Sequence, residues 1–260
     1  MPMPNPNFVT RPAGQPARLR LYCFPYAGGN GNVFLSWQPD LLPGIEVCGI
    51  QMPGRAGRFT EPPLTSLDKL VEMLAQALST QDPRVPFAFF GHSLGALVAF
   101  ELARACRRYR LPTPALLVAS GSDAPQHRGP DEKLYALEDD ALIVALEDYD
   151  GTPPELLQHR ELMTLALPAI RADFFMAAHY AYRPSLPLDL PITVLAGRQD
   201  PHVSCDDVVH WRKETSAASG LHWFEGRHFF INDERDAVLA CLNETLAPVL
   251  DTAPAPRTFW

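Results

Sequence analysis

Gly91-His92-Ser93-Leu94-Gly95 is the strongest chemical signal in the chain. An apolar run, FAFF, precedes this G-x-S-x-G stretch, and a helical pattern, ALVAFELARA, follows it. That is the strand-turn-helix context in which a serine is lifted above a sheet as a nucleophile. Small residues at positions 91 and 95 relieve the crowding of so sharp a turn, and the helix N-terminus favours developing negative charge. The alternative is a tight turn with an inert serine. Serine needs a base, and the base needs an acid to orient it. On such a scaffold the chain order is Ser, acid, His. Asp200 follows the apolar run Ile192 to Ala196, at the strand end where catalytic groups gather. Asp206 and Asp207 compete for the role but read as the acidic first turn of the next helix. His228 follows Leu221 to Phe224 in a Gly-containing loop, where the base belongs.

The other histidines fit less well. His222 lies within the last strand, and no strand places His202 opposite the serine. His127, His159, His179 and His210 fall in a helical region or on helices, and His92 should point away on the elbow. An oxyanion site needs two backbone N–H groups, one of them from Leu94. The other should come from the early loop Cys23-Phe24-Pro25-Tyr26-Ala27-Gly28-Gly29. That Gly pair could instead form a plain turn or a weak phosphate loop. It lacks the G-x-G-x-x-G spacing, and no Walker lysine follows, so nucleotide binding is disfavoured.

The elements that must position these groups are legible as an alternation. Short apolar runs at Arg18–Phe24, Ile45–Gln51, Phe87–Phe90, Ala115–Ser120, Ile192–Ala196 and, more weakly, Leu221–Phe224 read as strands buried on both faces. Helical patterns at Ser66–Leu78, Leu94–Tyr109 and Asp233–Leu246 lie between and after them. The expectation is an α/β fold with a mostly parallel sheet flanked by helices. Residues 123–184 break the alternation with helical patterns only, Leu134–Leu146 and Glu161–Tyr182, between proline-rich borders. They predict a helical lid, or else plain crossover helices. The domain should run over 18–250, with tails at 1–17 and 251–260.

Composition excludes several classes. At 260 residues, with 47% hydrophobic and 20% charged residues, the chain is globular and fits one core. A net charge of −8 argues against a nucleic-acid grip. The five cysteines are odd in number and lack C-x-x-C spacing, so neither a disulfide framework nor a zinc site is expected. No apolar run is long enough for a membrane span, and prolines interrupt the first sixteen residues where a leader needs its apolar core. A cytoplasmic monomer is the expectation.

Four stretches and a fifth in the helical region carry a shared pattern, of which the Pro-Tyr-Ala-Gly-Gly, Pro-Gly-Arg and Arg-Ala-Asp-Phe parts narrow the reading. The four are Phe24-Pro25-Tyr26-Ala27-Gly28-Gly29; Met52-Pro53-Gly54-Arg55 with Arg58 and Glu61-Pro62-Pro63; the serine motif; and Gly226-Arg227-His228-Phe229-Phe230. With Leu167-Pro168-Ala169-Ile170-Arg171-Ala172-Asp173-Phe174, the sequence resembles the stand-alone type II thioesterases of polyketide and nonribosomal peptide synthases, of the α/β-hydrolase superfamily. The resemblance spans about Arg18 to Val249. It implies a triad of Ser93, Asp200 and His228, with Ala27 N–H as the second oxyanion donor. It also implies hydrolysis of aberrant or stalled acyl groups from the phosphopantetheine arm of carrier proteins, with no cofactor or metal of the enzyme's own. His179 stands shortly before Tyr180, where an acidic residue is more often expected.

Other activities compatible with the same triad are a small-molecule carboxylesterase, an acyltransferase or a hydrolase-fold binding protein. Arg55 and Arg58 either order their loop by pairing with acids or serve solubility. Lid residues such as Leu165, Phe174 and Phe175 should build the acyl pocket. The acidic stretch Asp131–Asp150 reads as a solvated face. Arg104, Arg107 and Arg108 share one face of a helix and are candidates for docking an acidic carrier, against a plain solvated face.

Overall fold

The computed structural model describes residues 5–11, 15–128, 134–149, 151 and 157–253. Seven strands form one sheet: β1 (Phe8–Thr10), β2 (Leu19–Phe24), β3 (Ile45–Ile50), β4 (Phe87–His92), β5 (Leu117–Ser120), β6 (Ile192–Gly197) and β7 (Ser219–Phe224). Their spatial order is β1-β3-β2-β4-β5-β6-β7, and all neighbours are parallel except β1 against β3. This is the mostly parallel α/β sheet that the strand and helix alternation predicts, and it agrees with the α/β-hydrolase fold that the resemblance implies.

The strands divide their side chains between two cores with the period of two that a sheet imposes. Tyr22, Phe24, Phe89, Leu117 and Ala119 face α1 (Leu67–Ser79) and α2 (Leu94–Tyr109). Leu21, Cys23, Phe90, Val118 and Leu195 face a 3₁₀ segment, Gly31–Asp40, and the C-terminal helix. Burial on both faces explains why the strands read as continuous apolar runs. α1 starts where Ser66 accepts a hydrogen bond from the Lys69 N–H, and its apolar stripe of Leu70, Leu74 and Leu78 packs inward.

Between β5 and β6 the described residues contain no strand. This insertion holds α3 (Asp139–Tyr149) and α4 (Arg160–Ala178), which share a small core of Leu142, Leu146, Met163, Leu167, Ile170 and Phe174. Two short helices, α5 (Cys205–Val208) and α6 (Phe230–Asp233), precede the final α7 (Arg235–Thr252).

The tail expected at residues 1–17 needs correction. Phe8–Thr10 pairs antiparallel with Cys48–Ile50 and covers the sheet edge, and the Phe8 ring packs 5.2 Å from Tyr22. Three residues are too few to show a strand's alternation, so only the neighbouring edge reveals this one. The last helix, expected to end at Leu246, also continues past the expected domain end at 250, to Thr252, where Arg18 donates to the carbonyls of Leu250 and Ala253. The expected tail beyond Ala253 lies outside the described residues. Among the described residues, no helix is long and apolar enough to cross a membrane.

Candidate active site

β3 lies on one side of β2 and β4 on the other, so the loops leaving β2 and β4 diverge and open a crevice at the strands' C-terminal ends. Both loops carry groups singled out from sequence. Ser93 sits directly after β4 with φ 57° and ψ −119°, a strained conformation for a residue with a side chain. The turn closes only because its neighbours are glycines. A Cβ on Gly91 would overlap the Gly95 carbonyl, and one on Gly95 would overlap the Phe24 carbonyl. The Ser93 N–H donates to Ser120 O at 2.8 Å, tying the elbow to β5.

The acid follows β6 and the base follows β7. His228 Nδ1 donates to Asp200 Oδ2 at 2.7 Å, with both side chains buried. Because a carboxylate only accepts, this bond leaves Nε2 as the basic nitrogen. Nε2 is buried and has no hydrogen-bond partner among the described residues. Asp200 Oδ1 accepts the His202 N–H at 2.8 Å, which fixes the carboxylate plane. The two loops are laced together by Arg198 N–H to Phe224 O and Gln199 N–H to Gly226 O.

Ser93, His228, Ala27 and Leu94 line one cavity. Leu94 is the first residue of α2, so its N–H belongs to the unpaired first turn. The N–H groups of Ala27 and Leu94 have no hydrogen-bond partner among the described residues. The structure therefore brings all five sequence-derived site residues to one place. The arrangement can activate a hydroxyl, hold an imidazolium and receive an oxyanion.

The alternatives lie outside the cavity lining, with one exception, although the His92 ring packs 5.2 Å from His228 behind it. Asp206 and Asp207 form the first turn of α5, and His222 is exposed on β7. His92 is fully buried, hydrogen-bonded through Nδ1 to Ser120 Oγ, and burial holds its pKa well below the usual histidine value. His202 is the exception: it lines the cavity, stacking on Tyr149 at 3.8 Å with its ring 5.2 Å from His228. Tyr149, Arg128 and Asp123 also line the cavity and were not singled out from sequence. Burial pushes the Asp123 carboxyl up from its ordinary value. No periodicity or motif marks these residues, because only chain folding brings them together.

Other expectations need correction in detail. Of the three lid residues, Phe174 lines the cavity, Phe175 packs on Tyr135 and His179 instead, and Leu165 is about half exposed (52%). Arg104 and Arg107 are not a free basic face. Arg104 pairs with Glu101 and donates to Arg183 O, while Arg107 donates to the carbonyls of Leu186 and Pro187. They bind the segment that leads from the insertion back to β6. Arg55 and Arg58 do pair with acids: Arg55 with buried Asp173 of α4, and Arg58 with Glu61. All five cysteines are free thiols. His127, Asp207 and His210 form the one compact group of possible metal ligands among the described residues, and the triad geometry does not involve it.

Residues 19–246 match the model of the thioesterase domain. The chain belongs to the thioesterase family. Linear gramicidin dehydrogenase LgrE of Brevibacillus parabrevis is 40% identical over 237 residues, 90% of each chain. Gramicidin S biosynthesis protein GrsT of Aneurinibacillus migulanus is 37% identical over 246 residues, covering 95% of this chain and 96% of GrsT. The structure of the type II thioesterase BorB, from the borrelidin biosynthetic cluster, superposes with a TM-score of 0.84 at 34% identity, over 93% of this chain and 98% of BorB.

Proposed function

We propose that this thioesterase hydrolyses acyl thioesters carried on the phosphopantetheine arm of carrier proteins, clearing stalled or aberrant acyl groups from a polyketide or nonribosomal peptide assembly line. The observation that carries the reading is the buried His228–Asp200 pair at 2.7 Å in the same cavity as strained Ser93. The family and the biosynthetic relatives supply the substrate class.

In this reading Ser93 Oγ attacks the thioester carbonyl while His228 Nε2 takes its proton, and Asp200 stabilises the imidazolium. The Ala27 and Leu94 N–H groups receive the oxyanion. The thiol of the arm departs with the proton returned by His228, leaving an acyl ester on Ser93. Water, deprotonated by His228, then releases the carboxylic acid and restores the serine. The phosphopantetheine belongs to the substrate, and no step calls for a cofactor or metal.

Hydrolysis rates across a panel of acyl-carrier proteins, beside matched acyl-thiol and oxygen-ester mimics, test the proposal. Preference for carrier-bound thioesters is expected. Equal or faster turnover of the oxygen esters would move the assignment to a carboxylesterase, and acyl transfer to an added alcohol in preference to water would move it to an acyltransferase.

A further inference from the structure

The loop that carries Ala27 is held by the helical insertion through one carboxylate. Tyr26–Gly29 is a turn closed by the Gly29 N–H to Tyr26 O bond at 2.9 Å, with Gly28 at φ +77°. A positive φ at the third residue is the mark of a type II turn, which requires glycine there. The Gly28 N–H donates to Asp173 Oδ2 at 2.8 Å. Asp173 in turn receives both guanidinium nitrogens of Arg55, at 2.6 and 2.9 Å, and Arg55 also donates to Gly29 O at 3.1 Å. Ile170, one turn before Asp173 on α4, closes the other side: a Cβ on Gly28 would lie 2.9 Å from its Cγ1.

Peptide units are planar and trans, so these bonds set two successive planes. The Tyr26 carbonyl turned toward Gly29 sends the Ala27 N–H the opposite way. The Gly28 N–H turned toward Asp173 holds the next peptide in its type II orientation. With the Tyr26 carbonyl held by the Gly29 N–H, the bonds from the Gly28 N–H to Asp173 and from Arg55 to the Gly29 carbonyl pin the turn against α4, and so fix where the Ala27 N–H stands.

We propose that Asp173, oriented by Arg55, is a positioning residue for the oxyanion site. It fixes the 26–29 turn that presents the Ala27 N–H, so the site is complete only while α4 is seated on the loop. Because Phe174 and Ala177 of the same helix line the cavity, the element that contacts the acyl group also sets the donor. The inference rests on the Ala27 assignment made above and goes beyond it by coupling the insertion to the chemical step.

Four proteins test it by kcat and KM on an acyl-N-acetylcysteamine thioester: wild type, Asp173→Asn, Ala27→Pro and the double variant. Proline suits the second position of a type II turn and deletes only an N–H that has no protein partner. Ala27→Pro should lower kcat by roughly 10²- to 10³-fold. Asp173→Asn should lower kcat by roughly 10- to 100-fold with KM within about threefold, as expected for an interaction felt in the transition state. The double variant should be no slower than Ala27→Pro alone.

A full kcat in Ala27→Pro would overturn the oxyanion assignment itself. A normal kcat in Asp173→Asn beside a slow Ala27→Pro, or losses that multiply in the double, would overturn the positioning role alone. Should Asp173→Asn fail to fold, Arg55→Met/Asp173→Leu replaces the ion pair with apolar side chains, and the same loss in kcat is expected. Wild-type kcat in that protein would equally overturn the proposal.

Discussion

The cavity has two walls of different construction. The sheet wall carries Ser93, Asp200 and His228, which follow β4, β6 and β7 by one, three and four residues. Backbone hydrogen bonds run from the strands into these loops, so the groups inherit the rigidity of the sheet. The other wall, built by the insertion, offers Tyr149, Phe174 and Ala177 from helices whose grip on the domain is made of side chains. The Arg55–Asp173 pair, the contacts of Arg104 and Arg107 with residues 183–187, and the bonds of Tyr180 to Glu101 and Tyr182 to Glu214 are among its polar ties. In the proposed reaction the difference would separate tasks: the groups that hold reacting atoms are on backbone-tied loops, and the groups facing the acyl chain are on helices of the insertion.

The largest effect is expected at the sheet wall. Ser93→Ala should reduce thioester turnover by roughly 10⁴- to 10⁶-fold with an unchanged melting temperature. His228→Ala should cost a similar amount, and the two together little more, because the groups act as a unit. Near-wild-type turnover in Ser93→Ala, measured on the same thioester, would remove the serine-hydrolase reading.

At the insertion wall the effect should be on choice of substrate rather than on chemistry. Phe174→Leu should shift the ratio of kcat/KM between long and short acyl thioesters by about tenfold, the range that one or two methylene contacts supply. Leu165→Ala, on the solvent side of the same helix, should leave that ratio unchanged. Equal losses on every chain length in Phe174→Leu would erase the division of labour between the walls.

Reversing Arg104 and Arg107 to Glu sharpens the comparison from outside the cavity. These side chains tether the return segment, so the double reversal should lower stability by about 1–2 kcal/mol through lost hydrogen bonds. Denaturant unfolding would measure the loss. The salt dependence of carrier-bound turnover should stay as in the wild type. A weaker salt dependence would restore α2 to the docking surface.

The smallest effect concerns pH. His92 is kept neutral by burial in the folded protein, whereas in the unfolded chain it takes up a proton near its ordinary value of about 6.5. Its contribution to stability is therefore present above that pH and lost as the pH falls below it. His92→Gln should show a shallower fall in melting temperature between pH 7 and pH 5, read by calorimetry. An unchanged slope would mean that other groups control acid sensitivity.

Asp173 shows where a closer sequence reading could have gone further. It lies within the apolar face formed by Leu167, Ile170, Phe174 and Ala177, and a carboxylate there demands a buried partner. The sequence carries that signal but does not name the partner, since Arg55 reads there only as a residue that either pairs with some acid or serves solubility. Tyr149 and His202 carried no such signal, since nothing local distinguishes them from surface aromatic residues.

Sequence alone determined the strand and helix alternation, the elbow at Ser93 and the places of Asp200 and His228, because each depends on local pattern and on its offset from a strand end. It also determined that glycines must flank the serine, since the turn's crowding is local. Tertiary structure decided the edge strand at Phe8–Thr10, the grip of Asp173 on Gly28, the approach of His202 and Tyr149 to the base, and the engagement of Arg104 and Arg107. These are pairings between residues far apart in the chain. Their free energy comes from a partner whose distance and direction exist only after the sheet has formed and the insertion has closed over it.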